Sequence, residues 1–167
     1  FKDRGAIERS DVLGPMARLF NPVDNDANLI DQSQVVNKVV VVGKTLKNFE
    51  IQLEDGGLGV DDATVTSDKF VIERTIGGTT TMLVPEVDYT LEYESTSNIV
   101  LVTPTAGVWI NATYTVNVTN SAAGIRDRAG NNLQPNEASG ATKFVIQLTD
   151  TATSSWQNPN NKYDVNG

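Results

Sequence analysis

Aspartates gather in the stretches that separate the hydrophobic runs. They are Asp24 and Asp26, Asp55, the adjacent Asp61 and Asp62, and Asp127, which stands four residues before Asn131. Oxygen donors in loops suit a hard divalent cation, because calcium takes roughly six to eight oxygens from carboxylates, carbonyls and water. The expected ligand set is Asp61, Asp62, Asp127, Asn131, Asp24 and Asp26, with Asp55 as a further donor and calcium as the ion. Adjacent carboxylates such as Asp61 and Asp62 repel one another and gain relief from a cation. The same residues have a plainer reading, since Asp and Asn favour turns by bonding nearby backbone amides. That reading covers Asp127-Arg-Ala-Gly-Asn131 without any ion.

Other chemistry is narrower. The chain has no histidine and no cysteine, which removes imidazole-based nucleophile systems, thiol chemistry, disulfides and nearly all zinc sites. Glu92 and Glu94 form a carboxylate pair of the kind glycosidases use. Their alternation with Tyr89, Leu91 and Tyr93 instead predicts a solvated outer strand face. No catalytic residue is expected, and the chain is read as a non-enzyme. Lys38, Lys69 and Lys143 adjoin strands and would serve an internal Lys–Asn bond only if buried. Asn111-Ala-Thr113 and Asn117-Val-Thr119 match the glycosylation sequon, a short motif that arises often by chance. Trp109, Tyr89 and Tyr93 could stack on a sugar, but the two tyrosines alternate with acids, which places them in the core set.

The elements that must position these residues are strands. Phe49, Ile51 and Leu53 alternate with Glu50, Gln52 and Glu54, the period of a half-buried strand. Thr113–Thr119 turns Tyr114, Val116 and Val118 inward, and Lys143–Thr149 does the same with Phe144, Ile146 and Leu148. Gly77-Gly78 sits between two β-rich runs, Lys69–Ile76 and Thr79–Val84, and predicts a tight hairpin because primed turns need positive φ. Asp88–Glu94 and Ile99–Thr103 make a second hairpin. Shorter strands are expected at Met16–Phe20, Asn37–Val42 and Ala63–Thr66. Trp109 is expected to plug one end of the core. The fold class is all-β: about eight short strands with turn signals every ~8–12 residues indicate a sandwich or barrel. The last strand is expected beside the Tyr114 strand.

Of the 167 residues, 39% are hydrophobic and the net charge is −8. This suffices for one core, and an acidic surface repels phosphate backbones, so nucleic acid is excluded as a partner. No apolar run approaches the roughly 20 residues of a membrane helix. The chain opens on Phe1, which reads as a segment of a longer protein. Three parts are expected: residues 1–14 as a tail or linker, 15–150 as the sandwich, and 151–167, rich in Thr, Ser and Asn, as a linker.

Several phrases, in order, resemble one type of bacterial immunoglobulin-like module from large planctomycete-type surface proteins. They are Phe49-Glu-Ile-Gln-Leu-Glu-Asp55, Gly59-Val-Asp-Asp-Ala-Thr-Val65, Val87-Asp-Tyr-Thr-Leu-Glu-Tyr93, Asn98-Ile-Val-Leu-Val-Thr-Pro104, Gly107-Val-Trp109 and Gly124–Asn131. The resemblance implies an all-β, immunoglobulin-like Greek-key β-sandwich of about seven to nine strands, serving as a non-catalytic spacer or adhesion module of a secreted or cell-surface protein. Its partners would be neighbouring domains of the same polypeptide and a cell-surface protein or polysaccharide. A calcium-dependent carbohydrate-binding module is the alternative. Asp3-Arg-Gly-Ala-Ile-Glu8 resembles the phrase that closes repetitive β-helix domains. Asn158–Gly167 resembles the truncated start of a dockerin-type calcium loop, with Asp164 and Asn166 at its first ligand positions. Because the helix and the distal acid of that loop are missing, no calcium is expected there.

Overall fold

The computed structural model describes residues 11–23 and 38–150. Asp24, Asp26, Trp156 and the two terminal phrases lie outside the described residues. Nine strands are described. They are β1 (Met16–Asn21), β2 (Lys38–Val42), β3 (Phe49–Glu54), β4 (Phe70–Ile76), β5 (Thr79–Met82), β6 (Tyr89–Glu94), β7 (Ile99–Pro104), β8 (Thr113–Val118) and β9 (Thr142–Thr149). One sheet runs β1-β3-β7-β6, and the other runs β2-β9-β8-β4-β5. All ladders are antiparallel except β2 with β9. The chain changes sheet between β1 and β2, β2 and β3, β3 and β4, β5 and β6, and β7 and β8, while β4–β5, β6–β7 and β8–β9 each pair within one sheet, so the last strand lies beside β8. This is the strand arrangement of an immunoglobulin-like Greek-key sandwich.

Period-two alternation becomes burial along β3, β8 and β9, and only in part along β6, where Tyr89 is buried but Leu91 and Tyr93 are half-buried. Phe49, Ile51 and Leu53 are buried along β3, as are Tyr114, Val116 and Val118 along β8 and Phe144, Ile146 and Leu148 along β9. Burying an aliphatic or aromatic side chain of this size contributes about 1.5–3 kcal/mol, so this inner layer dominates the stability. The Gly77-Gly78 turn has φ of 56° and 82°, the left-handed region that a side chain would oppose.

One expected strand is absent. In place of the strand expected at Ala63–Thr66, Asp62–Thr64 and Ser67–Lys69 form short 3-10 turns. Asp61 accepts a bond from the Ala63 amide at 3.3 Å, and the Thr64 hydroxyl donates to the Asp61 carbonyl at 2.7 Å. Such local bonds offer the backbone an alternative to a ladder.

One end of the core is closed by three rings. Trp109 stacks on Phe49 with centroids 4.2 Å apart and planes within 5°, and Tyr114 meets both edge-on at 4.9 and 5.4 Å. The Tyr114 hydroxyl donates to the Ile110 carbonyl at 3.0 Å. A tyrosine near the start of the penultimate strand, tied back a few residues upstream, is the tyrosine corner of immunoglobulin sandwiches.

Candidate functional site

The loops at the opposite end from the three rings bring three carboxylates together. Asp11 precedes β1, Asp55 follows β3, and Asp127 lies in the β8–β9 connection. One carboxylate oxygen from each lies within 4.8 Å of the others. The sequence positions this end by short local bonds. Asp55 Oδ2 accepts from the Gly57 and Gly59 amides at 3.0 and 2.7 Å, which curls the Asp-Gly-Gly-Leu-Gly loop around its carboxylate. Asp127 Oδ1 accepts from the Asn131 amide, and its Oδ2 from Asn131 Nδ2, both at 2.7 Å. The two loops are zipped to each other, with the Arg128 amide bonded to the Gly59 carbonyl and the Asp61 amide to the Arg126 carbonyl, both at 2.9 Å.

The lead-in before β1 is fastened to the same place. Asp11 Oδ2 accepts from the Leu58 amide at 2.8 Å, and the Asp11 carbonyl accepts from Asn131 Nδ2 at 3.0 Å. The Gln134 amide bonds the Pro15 carbonyl at 2.8 Å. Gly14 lies so close to the loop that an added Cβ would fall 1.9 Å from the Asn132 carbonyl oxygen.

Among the described residues no base balances the charges of the cluster. Asp127 is 1% exposed, yet its bonds are to neutral amides of Asn131. Among the described residues no lysine or arginine forms an ion pair with Asp11, Asp55 or Asp127. Asp55 Oδ1 is shut off from solvent and has no hydrogen-bond donor.

The structure thus places Asp127 and Asn131 with Asp55, and adds Asp11, which sequence reasoning missed. Nothing in the sequence signals Asp11, because it sits in a charged stretch with no periodicity. Asp61 and Asp62 turn to other partners. Asp61 begins a 3-10 turn, while Asp62 pairs with Arg128 at 3.4 Å and accepts from the Tyr93 hydroxyl at 3.0 Å. Both members of the Asp62–Arg128 pair are well exposed, a setting in which ion pairs contribute little. Burial, and then the bond and charge of Asp62, push the Tyr93 hydroxyl well above the usual phenol range. Glu92 and Glu94 are exposed on β6, as their alternation predicts. Lys69 pairs with Asp68, and Lys143 lies 3.8 Å from Glu137.

No protein-family model matches the chain, and no curated protein matches it. Among solved structures it is similar to the S-layer protein rSbsC(31-844), with TM-score 0.45 and 19% identity over 82% of this chain and 14% of that one. The N-terminal part of the bacterial S-layer protein SbsC gives the same score and identity over 82% of this chain and 24% of that one. The titin M3 domain gives TM-score 0.32 and 13% identity, covering 84% of this chain and all of the other. The chain therefore spans a minor part of the length of the S-layer proteins it matches. Likeness at these scores decides nothing about function, and the fold rests on the ladders described above. Among the described residues no helix is long and apolar enough to cross a membrane.

Proposed function

We propose that the chain is a non-catalytic structural module that spaces or presents neighbouring domains of a larger secreted or cell-surface protein. One observation carries this reading: six of the eight aromatic rings among the described residues are committed to the interior. Phe49, Phe70, Tyr89, Trp109, Tyr114 and Phe144 are all buried, so none offers a flat platform on which a sugar could stack. Tyr93 is half-buried, with its hydroxyl against Asp62 and Asn98. Phe20, 51% exposed on β1, stands apart from the buried set. The secreted or surface setting is supported by the resemblance of the phrases between Phe49 and Asn131 to modules of large surface proteins.

The test is a glycan array probed with the 167-residue chain, with and without calcium. The spacer reading expects no saturable binding in either condition. Binding that appears with calcium and vanishes with chelator would replace it with the carbohydrate-binding alternative.

A further inference from the structure

We propose that Asp11, Asp55 and Asp127 form a calcium site that fastens the lead-in to β1 onto the β3–β4 and β8–β9 loops. Two independent observations point to a bound cation. The first is the convergence of three carboxylates, one oxygen of each within 4.8 Å of the others, with no basic side chain among the described residues paired to any of them. Like charges at this spacing repel, and the repulsion is least screened where solvent is excluded, as it is at Asp127. The second is Asp55 Oδ1, a fully buried carboxylate oxygen of this cluster with no donor. A buried acceptor left unmade costs free energy, and a cation among the three acids supplies its missing partner.

The donor chemistry selects the ion. Every candidate ligand is oxygen, which suits hard cations. The donors come from three separate loop segments, an irregular arrangement that calcium accepts more readily than magnesium, which demands near-octahedral geometry. Three carboxylates leave several positions for water, a ligand set that gives the weak affinity typical of extracellular modules, with Kd on the order of 0.1–1 mM. The Asp127–Asn131 turn does not compete with this role. It orients the carboxylate by one bond to each oxygen, and each oxygen keeps a second lone pair.

The consequence for function rests on the module reading: the ion would fix the angle at which whatever precedes β1 leaves the sandwich. Binding itself does not depend on that reading, so the two fail separately. The test uses the full 167-residue chain, freed of metal with EDTA and dialysed. Calcium chloride alone is titrated while thermal unfolding is followed by circular dichroism. A rise in Tm of about 5 °C is expected at calcium concentrations well above Kd. Magnesium at the same concentration should give a smaller rise. Asp55→Asn should abolish most of the response while leaving the metal-free Tm equal or higher, because it relieves repulsion. Asp11→Asn, in the lead-in before β1, is the second variant should the first fail to fold. Asp62→Asn should keep the full response. A Tm that calcium does not move, or a rise that persists in both Asp55→Asn and Asp11→Asn, would overturn the proposal.

Discussion

Tyr114 is held in two separable ways, by ring packing and by one hydrogen bond. Its ring meets Phe49 and Trp109 edge-on, and its hydroxyl reaches the Ile110 carbonyl. Tyr114→Phe keeps the ring and loses the bond, and should cost about 1 kcal/mol. Tyr114→Ala empties the site and should cost about 3–5 kcal/mol. Urea midpoints of the two variants measure both, and an unchanged midpoint for Tyr114→Ala would contradict the fold reading. Gly124 gives a backbone counterpart. A Cβ there would sit 2.0 Å from the Thr119 carbonyl oxygen, so Gly124→Ala should cost about 1–3 kcal/mol through forced backbone movement. Gly56, with open space around it, is the control and should show no steric loss. Tyr114 and Trp109 were legible in the sequence because a large ring on an alternating strand or beside a turn has few places to go. Asp11 was not legible, since its role depends on contacts with residues 47 and 120 positions away, which no local pattern encodes.

At the scale of the element, legibility followed alternation. Strands β3, β8 and β9 face solvent on one side, so their sequences alternate and their burial can be read directly. The stretch 63–66 misled because Val and Thr suit strands, while Asp61 and Thr64 divert the local backbone into a turn. Strand β2 is harder: Lys38–Val42 reads as an apolar run without alternation, and nothing in it predicts a parallel partner. Its pairing with β9 runs through five registered positions from Lys38–Val145 to Val42–Thr149. Amide exchange checks this ladder. The β2 amides should be protected to nearly the same degree as those of β9, since Val40 and Val41 are buried in the same sheet. Fast exchange confined to β2 would detach it from the sandwich.

For the molecule as a whole, three tyrosines couple stability to alkaline pH. Burial is the leading cause that raises the ionisation of Tyr89, Tyr93 and Tyr114 above the ordinary phenol value. The unfolded chain therefore loses these protons first. The stabilisation is fully present below about pH 10, the unfolded phenol value, and is lost as pH climbs beyond it through the folded values. Absorbance of tyrosinate should accordingly lag in the folded protein and rise sharply with unfolding; a smooth ordinary titration of all tyrosines would contradict this.

The nine described strands form one two-sheet unit. The leading strand β1 lies in one sheet and the closing strand β9 in the other, so tension on the two ends of the sandwich is transmitted through both sheets and the core between them. Force-extension of the module between two well-characterised marker domains tests this most directly. One cooperative rupture should release roughly 400 Å, the extended length from Met16 to Thr149 less the folded span. Release in two or more steps, or gradual extension without a rupture, would contradict the account.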